Sequence, residues 1–326
     1  MQELTIRRRT ALVAFAGLIA AASAPYAQTA ADNWPTKPVT IVVPYSAGGG
    51  TDIVARVVAQ RLSELWGKPV VVDNRTGANG AIGSSYVAKS SPDGHTLLLV
   101  VGSHAINPVL MKSLPYDTAK AFTPVTRLAI SPMVMVVSGK SPYKNLTDVL
   151  AVALKEEVAI GYSEGQTRLT GELIRQSGGL KTIGVPYKGG APIMVDIIGG
   201  HLPLGLTSVL TALPHIQSGN LRVIGVAANE RMAIFPAAMT FKEAGLKGVE
   251  SLNWYGLFGP AGLPKGVVSQ INRDLKKVTS DPALIKQMHD QGAEIVMTPP
   301  DEFVKFLQQE TTKWTQVSSS GGISAE

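Results

Sequence analysis

The sequence predicts an α/β protein of two lobes with a cleft between them. Three observations carry that reading. Strand-like and helix-like segments alternate with short loops from Pro38 onward, the pattern of open, largely parallel sheets. A second set with the same alternation runs from about Ala151 to Ala228. The chain then turns apolar again over Asn253–Pro260 and ends in three helical stretches, expected to pack back on the first lobe. Crossings near residues 128–132 and 252–256 follow from this order. They divide the chain into residues 28–130 and 253–326, which build one lobe, and residues 131–252, which build the other.

Each element has its own signal. Pro38–Val43 is a short apolar run of β-branched residues, bounded by the loop Pro44–Gly50. Thr51–Trp66 places Ile53, Val54, Val57, Val58, Leu62 and Leu65 on one helical face. Pro69–Asp73 is the next strand, ended by the turn chemistry of Asn74–Gly80. A helix through Val87, a Pro92-Asp93-Gly94 turn and the strand Thr96–Val101 continue the series. In the second set the strands are Val158–Ile160, Thr182–Val185, Leu202–Leu206 and Leu221–Ala227, with helices between them. The closing helices are Lys265–Thr279, Pro282–Gln291 and Pro300–Val317.

The N-terminus is of a different kind. Arg7, Arg8 and Arg9 precede an apolar run, Ala11–Ala24, and small residues lead to Ala27-Gln28. Basic segment, apolar core and cut site in that order predict a secretory signal over residues 1–27, hence a periplasmic protein. The apolar run is shorter than the ~20 residues that span a bilayer. Without that segment the chain is still large for one core. With 45% apolar and 17% charged residues it reads as globular. Cysteine is absent, which removes thiolate catalysis and thiolate metal sites. The positive charge excess is diffuse and argues against nucleic acid as a partner. The five histidines never fall at metal-ligand spacing, so no metal and no cofactor is expected.

The most informative stretch is Val43-Pro44-Tyr45-Ser46-Ala47-Gly48-Gly49-Gly50-Thr51-Asp52. A strand runs into three glycines and a helix start. Glycine lets backbone approach a ligand closely, and the helix start offers unpaired N–H groups at a positive dipole end. That combination suits an anion. No lysine follows the glycines, so it is not a phosphate-binding P-loop. Gly48 and Gly49 are the expected points of closest approach. Asp52 is placed to cap the helix or hold a water rather than to touch an anion.

With Trp34–Pro38, Val71–Gly77, Pro92–Leu97, Leu114–Asp117, Val185–Pro192, Gly219–Val223, Trp254–Leu257 and Glu310–Trp314, this loop makes an ordered series across almost the whole chain. The series resembles the Bug family, the extracytoplasmic receptors of tripartite tricarboxylate transporters. The resemblance implies a periplasmic-binding-protein fold of type II and capture of a small organic carboxylate. It implies permease subunits as partners and a monomer that catalyses nothing. It places ligand contacts at Tyr45, Ser46, Ala47, Gly48 and Gly49, partly through water, with Asp52 counted in the site as the holder of such a water. Ser103 and His104, Ser163, Gln166 and Thr167, Tyr187 and the Thr207-Ser208 strand end would complete the site. Two departures bear on the ligand's far end: the family's longer Gly/Ser loop is shortened here around Gly161–Leu169, and Thr207 stands where an acidic residue is common. Glu164 and Arg168, in that shortened loop, would set opposite preferences there.

Two other functions compete. A receptor of the same fold could report its ligand to a membrane sensor kinase, which this chain alone does not distinguish from transport. Gly161-Tyr162-Ser163-Glu164-Gly165 also matches the nucleophile elbow of serine hydrolases, with Ser163 as nucleophile and His201, His215 or His289 as the downstream base.

Overall fold

The computed structural model describes residues 34–320; the expected signal segment, residues 1–27, lies outside them. Among the described residues no helix is long and apolar enough to cross a membrane. The chain begins with β1 (Val39–Val43), α1 (Gly50–Trp66), β2 (Val70–Asn74), a 3-10 turn (Ala78–Gly80), α2 (Ala81–Ala88), β3 (Thr96–Val100) and α3 (Ser103–Leu110). A long strand, β4 (Phe122–Ser138), follows. Then come α4 (Leu146–Ala153), β5 (Val158–Tyr162), α5 (Gly165–Gly178), β6 (Thr182–Pro186), α6 (Gly190–Gly199), β7 (Leu204–Ser208), α7 (Val209–Gln217), β8 (Leu221–Val226) and β9 (Met239–Thr240). The chain closes with β10 (Leu252–Pro260), α8 (Lys265–Thr279), α9 (Pro282–Asp290), β11 (Glu294–Ile295) and α10 (Pro300–Ser320).

β4 organises the molecule. Its residues Phe122–Pro132 pair antiparallel with β10, while Met133–Ser138 pair antiparallel with β7 and β8. One strand thus serves two sheets, and it changes partners at Pro132-Met133. Proline has no N–H to give to a ladder, so it suits the point where one ladder stops. β10 joins β4 to β3, and parallel pairings carry that sheet through β1 to β2. On the other side β7 leads to β5 and β6, again in parallel. The expectation of largely parallel sheets therefore holds for the outer strands only; the centre is antiparallel. A 17-residue strand carrying Pro124 and Pro132 reads in the sequence as a connection, because most strands are about 5–6 residues long.

The side chains of β4 show why the second sheet is buried on both faces. Met133, Met135 and Val137 pack with Leu146, Leu204, Leu206 and Phe241 on one side. Val134 and Val136 pack with Ile193, Ile197 and Val209 on the other. That is the period-two alternation of a strand covered by helices twice over. In the first sheet Val42, Leu98 and Val100 meet Phe122, Trp254, Phe258 and Phe303. The returning helices are tied there by polar contacts as well. Trp66 Nε1 donates to Asp274 at 2.7 Å, and Trp254 Nε1 donates to Glu310 at 3.0 Å. Ile106, Leu110, Leu169 and Trp314 form a smaller apolar cluster joining α3, α5 and α10.

Candidate functional site: a cleft ringed by helix N-termini

The loops at the strand ends meet in a cavity of about 30 Å³, lined by Gly49, Gly50, Thr51, Glu164, Gly189, Gly190, Ser208 and Thr211 among others. Those residues open four helices. Gly49 stands before α1, Glu164 before α5, Gly189 before α6 and Ser208 before α7. Each helix start carries backbone N–H groups without helical partners and the positive end of a dipole. The lining holds no Lys, Arg or His, so these helix starts are its source of positive potential, and Glu164 is its one carboxyl.

Within the loop Gly48–Gly50 the approach is closest at Gly50. A Cβ there would lie 2.5 Å from the Tyr255 hydroxyl and 2.8 Å from that of Ser208. At Gly49 the nearest atom would be 3.4 Å away, an ordinary contact. The Gly50 N–H donates to Thr211 Oγ1 at 2.8 Å, so a hydroxyl of the facing helix occupies the position of an acceptor oxygen. Gly48 does different work. It adopts φ +77° and turns its N–H to Asp52 Oδ2 at 2.9 Å. Asp52 also accepts from Arg56 and from Asn74. Burial pushes its carboxyl up, but these donors outweigh burial and hold it below the ordinary value. Asp52 thus fixes the glycine loop from behind.

Glu164 caps α5: its Oε2 accepts from the N–H groups of Gln166 at 2.9 Å and Thr167 at 3.3 Å. Thr167 Oγ1 completes the box, accepting from the N–H groups of Ser163 and Glu164. Burial pushes the Glu164 carboxyl up to about 7 against these bonds. Asn253 lines the same cavity, and its Oδ1 is buried without a partner among the described residues.

A family model described as the tripartite tricarboxylate transporter family receptor matches residues 54–322. The chain belongs to that family. Protein BugT of Bordetella pertussis is 34% identical over 319 residues, covering 96% of this chain and 98% of BugT. The solved structure of the periplasmic binding protein BugD superposes with a TM-score of 0.86 at 29% identity, covering 90% of this chain and all of BugD. A Rhodopseudomonas palustris protein, Rpa4515, solved with adipate, gives a TM-score of 0.86 at 32% identity over the same 90% of this chain. The receptor therefore has the periplasmic-binding-protein fold, as its sequence implied.

Not every residue expected at the ligand reaches the cavity. Tyr45, Gly49, Ser163, Thr167 and Thr207 line it. Ser46 does not line it; it stands against Gly189, its Oγ buried without a partner among the described residues. Ala47 and Gly48 are exposed. Ser103 is fully buried and bonds to the Tyr45 hydroxyl, so it positions that ring. Burial raises Tyr45, which keeps its proton at any ordinary pH. His104 points the other way. Its ring packs on Phe122 at 4.8 Å and Phe258 at 4.7 Å, and burial depresses its pKa to about 3. Gln166 Nε2 donates to Leu252 O at 2.6 Å and to Ser251 Oγ at 3.3 Å, tying α5 to the second crossing. The Tyr187 hydroxyl donates to Asp196, while its ring borders an adjoining pocket. Arg168 borders a separate surface pocket with Glu172 and Arg175. Among the described residues, no histidine borders either pocket that Ser163 lines.

Gly50 and Thr51, from the expected anion loop, line the cavity, and so do Val101, Gly189, Gly190, Thr211 and Asn253, for which no ligand contact was expected. Gly189-Gly190 carried a usable signal, since a strand followed by glycines and a helix repeats the pattern at Gly48–Gly50. Ser208 and Thr211 carried another, as a cap with its partner three residues on; the Thr211 N–H donates to Ser208 Oγ at 3.4 Å. Asn253 carried none.

Proposed function

We propose that the receptor is exported, captures a small carboxylate-bearing metabolite between two lobes, and delivers it to the permease subunits of a tripartite tricarboxylate transporter without catalysing a reaction. The lobes are residues 28–130 with 253–326, and residues 131–252. The convergence of four helix N-termini on one cavity carries this reading. Backbone N–H groups and dipoles hold a carboxylate without a counter-charged side chain, so the ligand can leave again when the lobes part. Adipate in a relative of this fold supports the ligand class.

A thermal-shift screen of carboxylic acids tests it, because a ligand that binds only the folded state raises the melting temperature; at a hundredfold excess over Kd the gain is about 2.7 kcal/mol. Gly50→Val is the companion measurement. Its side chain would collide with Tyr255, Ser208 and Thr211. Calorimetry should show binding abolished in a variant with a native circular dichroism spectrum. Full-strength binding by Gly50→Val, or a screen in which no carboxylate stabilises the wild type, refutes the reading.

A further inference from the structure

We propose that Glu164 is the specificity residue of the cleft, selecting a ligand with one carboxylate and, at its other end, an ammonium or hydroxyl donor instead of a second carboxylate. This rests on the carboxylate-receptor reading above and narrows it to a ligand class. Among the described residues lining the cavity, Glu164 alone carries a charge. Its side chain is buried, at 6% exposure. Its Oε2 is spent on the helix cap, while Oε1 accepts no hydrogen bond among the described residues. Asn253 Oδ1, on the same cavity, is a second acceptor without a donor. A buried acceptor without a donor, on the same cavity as its one carboxylate, asks for a donor from the ligand, since an unpaired polar group in such a place is costly.

Among the described residues lining the cavity there is no cation to reverse this preference. Arg168, one turn further along α5, borders the surface pocket shared with Glu172 and Arg175. Lys188 borders the adjoining pocket and is exposed. The titratable groups that interact with Glu164 from other elements are the hydroxyls of Tyr45, after β1, and Tyr255, on β10. Burial raises both, Tyr255 to about 12, so each stays neutral. A second ligand carboxylate would therefore meet the Glu164 carboxylate with no positive charge between them. Two carboxylates so placed cannot both ionise, and one must hold a proton. An ammonium in that position forms a charge-assisted bond instead.

Matched ligand pairs test this without any mutation: succinate against γ-aminobutyrate, and adipate against ε-aminocaproate, with the hydroxy analogues beside them. Each pair keeps the chain length and changes one end. By calorimetry at about pH 8.5, where Glu164 is ionised, the amino or hydroxy member of at least one pair should bind about tenfold or more tightly than the dicarboxylate. Lowering the pH to about 5 should narrow the gap as Glu164 takes up a proton. Glu164→Gln, which keeps a capping oxygen, should abolish or reverse the preference. Equal affinities or a dicarboxylate preference in the wild type overturn the assignment, as does silence toward both members of every pair. The two readings fail differently. A pair that binds without discrimination, and is lost in Gly50→Val, refutes only the role of Glu164. Binding indifferent to Gly50→Val refutes the cleft itself.

Discussion

Two buried titratable residues pull the receptor's acid stability in opposite directions. The folded receptor keeps a proton on Glu164 up to about pH 7, whereas the unfolded chain releases it near 4.5. Between those values the folded state binds more protons, so stability falls as pH rises. His104 does the reverse. Its folded pKa is depressed to about 3 from 6.5, so between those values the unfolded chain binds more protons and stability rises with pH. The two slopes oppose each other wherever the windows overlap. Glu164→Gln should therefore gain on the wild type as pH rises from about 4.5 to 7, by on the order of 3 kcal/mol at full extent. His104→Leu should gain as pH falls from about 6.5 toward 3. Urea unfolding of the three proteins across that range checks both. Curves that stay parallel would mean that the two groups titrate alike in the folded and unfolded states.

At the level of elements, the start of α5 combines structure and site. Thr167 Oγ1 accepts from two backbone N–H groups and donates to Glu164 O at 2.9 Å. Thr167→Val keeps the shape and removes the reciprocal half of the capping box while the Glu164 cap remains, so it should cost on the order of 1 kcal/mol. It should also weaken ligand binding, because Ser163 and Glu164 are held at the cavity by that hydroxyl. Denaturant midpoints and calorimetry read the two effects; a destabilised variant that binds normally would separate the cap from the site. This stretch also marks the limit of what the sequence reveals. α1, α8 and β1 are legible to within a residue, since their apolar periodicity meets strong turn signals at both ends. The glycine loop is legible as a place of close approach. That Gly50 rather than Gly49 makes the tight contact depends on Tyr255, Ser208 and Thr211, which reach it from far along the chain. His104 misleads for the same reason. Its position beside Ser103 suggests the cleft, and only the assembled ring cluster of Phe122 and Phe258 shows the imidazole facing away.

At the scale of the whole molecule, the cavity is too small for the ligands proposed: about 30 Å³ holds only a water or two. On the proposed reading the two lobes would part and close again around the guest, with the Gly50–Thr211 and Tyr255–Ser208 contacts broken on the way. Small-angle scattering should show a smaller radius of gyration at saturating ligand than without it; identical profiles at proven saturation would argue for a static cleft. The strand shared by the two sheets has a further consequence, and it concerns assembly. The sheet built on β1, β2 and β3 reaches β4 only through β10, which arrives more than a hundred residues later. The strands between, from Met133 to Thr240, pair only with one another. The interior strands close over shorter separations than those by which β10 joins β3 to β4, and the longer-range closure is the slower one. All four tryptophans, at positions 34, 66, 254 and 314, lie outside the interior segment. In refolding from urea, far-ultraviolet ellipticity should therefore recover in an early phase to which indole fluorescence is blind, and the fluorescence should follow only when β10 docks.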